Sequence, residues 1–189
     1  IASISASMAA MASSMMGISA NTATDHLHEL VGRSRVEAIV RQFNHSAPER
    51  LTPFLSINEM FNLFSAVTPS QAIAYRDGSE SFQRTFLDTV LVPLGPVAAF
   101  GDNYQSLFFT AAWVASPLDV CAVMAGMRQF NDRSPGFQVI DQALSSEAAT
   151  LFVRNRWERV WYKGGSLVNA TGAKVLTHSW LLESDSRGA

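Results

Sequence analysis
The sequence predicts a mainly α-helical fold: a single-domain helical bundle with an extended N-terminal arm and a short C-terminal β-hairpin or arm. Three observations lead there. Apolar residues recur at three- and four-residue spacing from residue 25 to residue 91, which is the period of an amphipathic helix. Ser, Thr and Pro stand repeatedly where helix starts belong. A β-like composition appears only from Ser166 onward. The implied organisation is a neutral arm over 1–24, a helical domain over 25–165 and a hairpin or arm over 166–189. No internal repeat and no second domain is visible.

Residues 1–24 carry no charged side chain and are mostly Ala, Ser, Met and Ile. No initiator Met is present, so the expectation is either an end left by presequence removal or a sequence that begins late. Such a neutral arm needs a surface to lie against, because ordering a residue costs roughly 1–2 kcal/mol of backbone entropy. Residues 25–43 are predicted as one helix, with Leu27, Leu30, Val31, Ile39, Val40 and Phe43 near one face. His26 and His28 diverge on that helix by about 200° and share no metal.

Pro48 and Pro53 mark a loop. Ser56-Ile57-Asn58-Glu59 is a capping box opening a helix over 57–67. Thr68-Pro69-Ser70-Gln71 repeats that logic for a helix that stops at Asp77-Gly78. Phe82, Phe86, Leu87, Val90 and Leu91 mark a further helix that ends at Pro93. Pro93 to Gly101 is a connector, after which Asp102 is suited to cap the next helix.

The most apolar stretch runs from Ser106 to Met127, and its only charge is Asp119. Its length suits a membrane span, but Ser116-Pro117-Leu118-Asp119 has the form of a helix start. The reading is therefore two helices, 103–115 and 117–130, forming a buried hairpin; contact with a membrane is the alternative. Asn131 to Gly136 is a turn. Residues 137–162 are predicted as one helix or two in line, with Val139, Ile140, Ala143, Leu144, Leu151, Trp157, Val160 and Trp161 on its apolar side. Gly164-Gly165 is read as its stop. Val175, Leu176, Trp180, Leu181 and Leu182 make the last segment too apolar to stay in water unpartnered.

Charged residues make up 16% of the chain and the formal net charge is −2. Average domains hold about 25% charged residues, so this surface is sparsely charged, as suits a chain covered by partners or one with a Ser/Thr/Asn/Gln-rich exterior. The net charge gives no case for wholesale nucleic-acid binding. Twelve Arg stand against two Lys, Lys163 and Lys174, and Arg is the cation favoured at interfaces. A lone Cys121 excludes an intrachain disulfide framework and is expected to be a packed core thiol.

No catalytic residue, cofactor site or metal site is assigned. The one constellation is Arg154, Arg156, Trp157, Arg159, Trp161 and Lys163. On a helix, Arg156 and Arg159 share one face with Lys163, and Trp157 and Trp161 another. That pattern suits a protein interface or an anion or lipid-headgroup contact, stacking on nucleic acid, or a helix with a Trp core face and a solvated Arg face.

The composition (helical, Arg over Lys, few His, one Cys, rich in Phe and Trp) resembles the coat proteins of rod-shaped plant viruses; it covers no motif and transfers no residue. The expected function is a non-catalytic structural subunit of a large assembly. The first reading is an accessory subunit of a mitochondrial or plastid membrane complex, its partners being other subunits and lipid. The alternative is a virion coat or nucleocapsid protein facing RNA.

Overall fold
Short polar side chains set the helix starts. In the computed structural model, which describes residues 2–96, 111–168 and 174–184, Ser56 accepts from the Glu59 backbone N–H while the Glu59 carboxylate accepts from the Ser56 N–H. Thr68 and Gln71 form the same reciprocal box. Ser79 and Ser134 each cap through the N–H three residues on. Each such cap contributes about 1 kcal/mol.

The helices are α1 (Ala2–Gly17), α2 (Asn21–Val31), α3 (Arg33–Gln42), α4 (Ile57–Ser65), α5 (Pro69–Asp77), α6 (Glu80–Phe86), α7 (Pro117–Arg128) and α8 (Pro135–Leu144). A π turn over Leu87–Leu91 and a 3-10 turn over Val92–Leu94 follow α6. Strands β1 (Arg159–Val168) and β2 (Lys174–Glu183) pair as a two-stranded antiparallel hairpin. The fold is mainly helical with a C-terminal hairpin, as the sequence predicts.

Contacts group the chain into two compact units. One holds residues 1–27, 117–167 and 174–189; the other holds 28–116 and 168–173. In the first, α1 packs along α8. The core there is Met124, Phe137, Leu144 and Trp161, with Met16, Val120, Met127, Ile140 and Leu181 against it. The approach of α1 is close at its end: a Cβ on Gly17 would collide with the Ser146 side chain, whose hydroxyl donates to the Ala143 carbonyl at 2.6 Å and lies 3.4 Å from the Ser13 carbonyl. Unpatterned in charge, α1 is held by Met and small residues, which adapt to an irregular apolar surface.

The second unit is built around Leu63, Phe64, Leu87 and Leu91, with Leu55, Met60, Tyr75 and Phe86 completing its centre. Residues 111–116 join this core without helix. Trp113 Nε1 donates to the Leu55 carbonyl at 3.2 Å. His45 Nδ1 accepts from the Ala47 N–H at 3.1 Å, so Nε2 carries the proton and donates to the Val114 carbonyl at 2.9 Å.

Several expectations are corrected. The 25–43 helix is two helices, because Gly32 adopts φ 84 between them. Helix 103–115 does not reach 115, since 111–116 is turn and irregular; residues 103–110, and the Asp102 cap with them, lie outside the described residues. The break at Ser116 stands, and Pro117 opens α7. The 1–24 arm is helical over Ala2–Gly17. Helix 137–162 ends at Leu144; 3-10 turns follow over Ala148–Phe152 and Arg154–Arg156. The hairpin therefore begins at Arg159, not at residue 166, and Gly164-Gly165 lies inside a strand instead of stopping a helix. Gly164 is needed there because the Tyr162 ring crosses it: a Cβ would meet Tyr162 Cζ at 2.9 Å. The expected break over 169–172 lies outside the described residues. Cys121 is exposed, not a core thiol; α7 turns Asp119 and Met124 inward instead.

Gly32 and Gly136 make a matched test. Neither has an atom within 4 Å of an added Cβ, but only Gly32 has positive φ. Gly32→Ala should destabilise by about 1–3 kcal/mol through backbone strain. Gly136→Ala, in the first turn of α8, should be neutral or stabilise by up to about 1 kcal/mol. Urea unfolding of the two variants measures both.

Candidate interface and a partly buried ion-pair cluster
Strand geometry divides the predicted Arg/Trp constellation. Side chains alternate across a strand, so Arg159, Trp161 and Lys163 share one face, the inner one. Trp157 precedes the strand, and Arg154 and Arg156 lie in a 3-10 turn. The expected i, i+4 pairing of Trp157 with Trp161 on a helix face does not exist.

Trp161 is fully buried. Its ring lies 5.8 Å from that of Phe137, and its Nε1 donates to Asp141 Oδ1 at 2.7 Å. Arg159 Nε donates to the same oxygen at 3.0 Å, and its Nη1 reaches Glu183 Oε2 at 2.5 Å. Arg128 grips Glu183 with two N–H groups, Nε to Oε2 at 2.8 Å and Nη2 to Oε1 at 2.7 Å. It also reaches Asp132 at 2.8 Å. Both guanidiniums lie over Phe137, at 5.6 Å and 5.2 Å from its centroid. Arg128's hydrogen bonds hold the Glu183 carboxyl below its ordinary range; burial opposes this and Arg159 adds to it. Lys163 donates to Ser19 Oγ and to the Gly164 carbonyl, and burial pushes its ammonium pKa down. Arg159, Trp161 and Lys163 thus act inside the first unit.

The outward half is what remains. Arg154 is exposed and donates to the Ser145 carbonyl. Arg156 is exposed, and its side chain makes no ion pair among the described residues. Trp157 is half-buried. Beside them stand two residues that the sequence reading assigned to a core face or passed over: Leu151 is 65% exposed and Phe152 85%. Their sequence signal was the adjacency of two large apolar residues to Ser145-Ser146-Glu147, a polar run inside the stretch predicted as one helix or two in line.

On α3, Arg33 is half-buried, while Arg35 and Arg41 are exposed. Arg33 donates to Glu59 at 2.6 Å and to the Phe54 carbonyl, and Arg41 donates to Thr52 at 3.2 Å. A cavity of about 200 Å³ in the second unit is edged by Arg76 and Gln83. Asp77 clamps Arg76 at 2.7 and 2.8 Å, and Gln83 donates to the Tyr75 carbonyl at 3.0 Å. Among the described residues no group of three His, Cys, Asp or Glu is arranged to hold a metal, and no helix is long and apolar enough to cross a membrane.

The Glu183 clasp has a pH signature. Its lowered folded pKa gives stability that is complete above the ordinary value of 4.5 and lost as pH falls through the folded value. Glu183→Gln should cost about 1–3 kcal/mol at neutral pH. The gap between variant and wild type should close as pH drops below 4.5. Urea midpoints measured across acidic pH check this; a gap independent of pH would show that the carboxylate charge is not what holds the cluster.

No protein-family model matches this sequence, and no curated protein matches it.

Proposed function
We propose that this chain is a non-catalytic structural subunit of a larger assembly, and that the Leu151–Arg156 projection is where it meets the rest of that assembly. The carrying observation is the exposure of Leu151 and Phe152, at 65% and 85%, next to exposed Arg154 and Arg156. Burying a Leu or Phe side chain contributes about 1.5–3 kcal/mol each, which this fold leaves unused. Aromatic residues and Arg are the side chains enriched at protein interfaces. Within this role, the reading is an accessory subunit of a mitochondrial or plastid membrane complex. Apolar residues flanked by Arg suit both a subunit surface and a headgroup layer, and the 16% charge content suits a largely covered exterior. The coat-protein alternative loses support from Arg159 and Arg33, whose guanidiniums are held by carboxylates and are not presented to phosphate.

Leu151→Ser with Phe152→Ser tests the proposal. These residues are exposed, so stability should change by no more than about 0.5 kcal/mol each. Affinity purification from the native source should recover fellow subunits with the wild type and lose them with the double variant. Wild type recovered alone, or recovered with RNA, would overturn it.

A further inference from the structure
Lys163 is a cation with no anion in contact. Arg33, Arg84, Arg128 and Arg159 each meet a carboxylate. Lys163 lies half-buried on β1 and, among the described residues, makes no ion pair. Its Nζ is held instead by two neutral oxygens, the Ser19 hydroxyl and the Gly164 carbonyl. An amine that is partly desolvated and lacks a counter-ion is biased toward its neutral, nucleophilic form. Burial pushes the ammonium pKa down, and the field of Glu147 does not offset this.

Ser19 supplies the second half of the arrangement. It stands in the corner between α1 and α2, exposed, with φ 53. Residues other than Gly, Asn and Asp seldom hold positive φ, and such strain gathers at functional sites. Among the described residues, Lys163 is the one hydrogen-bond partner of its side chain. Both residues belong to the first unit. Once deprotonated, Nζ still has an N–H for Ser19 and another for Gly164, and its lone pair is uncommitted. The Ser19 O–H is uncommitted as well, because the hydroxyl oxygen is what accepts from Nζ.

We propose that Lys163 is an acyl acceptor for thioesters, with Ser19 relaying the proton. The Nζ lone pair attacks the thioester carbonyl carbon, so an N–C bond forms. The C–S bond breaks and its electron pair leaves on sulfur. A proton passes from Nζ to Ser19 Oγ while Ser19 gives its own to the thiolate. The products are an amide on Lys163, a free thiol and an unchanged Ser19. Charge selects the donor. An acyl phosphate would approach against the field of Glu147, and residues 1–24, which hold Ser19, carry no cation to receive it. A neutral thioester meets neither obstacle. The product keeps one N–H where the ammonium had three, so acylation weakens the tie between β1 and the α1–α2 corner. This inference is independent of what Leu151–Arg156 contacts.

The test uses the full chain and the neutral thioester S-acetyl-N-acetylcysteamine, with N-acetyl-lysine amide in the same tube as an ordinary side-chain amine. Mass spectrometry reads the rates, and Lys163 is readily resolved because Lys174 is the only other lysine. At neutral pH, Lys163 should be acetylated several-fold faster than the free amine. Its pH profile should turn over below the ordinary lysine range. Ser19→Gly removes the hydroxyl while suiting the positive φ; it should slow Lys163 several-fold with unchanged circular dichroism. A wild-type rate no greater than that of the free amine overturns the proposal, as does a profile that turns over in the ordinary range. So does a folded Ser19→Gly variant that reacts as fast as wild type. The wild-type comparison decides the matter even if the variant fails to fold.

Discussion

The carboxylate of Glu183 is the constraint on which the first unit depends. It accepts from Arg128 on α7 and from Arg159 on β1, and it closes the far end of β2. The two cations that converge on it would repel each other without it, and Asp132 and Asp141 share the remaining N–H groups. Phe137 lies under both guanidiniums, so the charge cluster sits directly on the apolar core. Removing one partner from such a cluster leaves an uncompensated charge and costs more than the intact pair contributes. The hairpin is therefore tied to the helices by electrostatics at its base and by Trp161 and Leu181 in the core.

The second unit uses the same device with different residues. Glu59 caps α4 and holds Arg33 at once. Glu37, buried on α3, takes Arg84 at 2.8 Å and the Phe54 N–H at 3.0 Å. Burial would raise its pKa, yet these hydrogen bonds and the nearby arginines lower it overall. A chain with few charges thus places several of them indoors, where each sets the position of a neighbouring element. What is left outside is correspondingly apolar, and this is why the exposed Leu and Phe of the 151–152 turn are so prominent.

How much of this was legible depended on range. Capping boxes at Ser56 and Thr68 involve residues three apart, and the sequence displays them directly. The Pro117 start was legible for the same reason. The stretch from Arg156 to Lys163 was not, because its side chains satisfy two periods. Trp157 and Trp161 fit a helix, while Arg159, Trp161 and Lys163 alternating with Val160 and Tyr162 fit a strand. The choice is made by Asp141 and Glu183, which lie 18 and 24 residues from Arg159, and no local pattern carries that information. Gly32 lies inside the predicted 25–43 helix, and its φ of 84 is not written in the local apolar pattern. Cys121 was misjudged because the apolar character of α7 is spread around the helix, and composition does not say which side is turned inward. Of the candidate site, Arg154 and Arg156 were legible as exposed cations; their apolar neighbours at 151 and 152 were hidden in an assumed helix face.

The first unit is discontinuous, and this orders events during synthesis. Its segment 1–27 leaves the ribosome ahead of the surface that receives α1, which belongs to α8, more than a hundred residues later. At roughly 5–20 residues per second, α1 waits for seconds as a neutral, Met-bearing segment before the α8 surface it packs on is made. Residues 28–116, by contrast, emerge as one uninterrupted block carrying most of the second unit, which can fold while the ribosome is still working. The first unit closes last, when Glu183 arrives to gather its two arginines. A nascent chain stalled before that residue would expose both α1 and the Met-rich core it shares, and the interval before closure is where a chaperone would find its binding site.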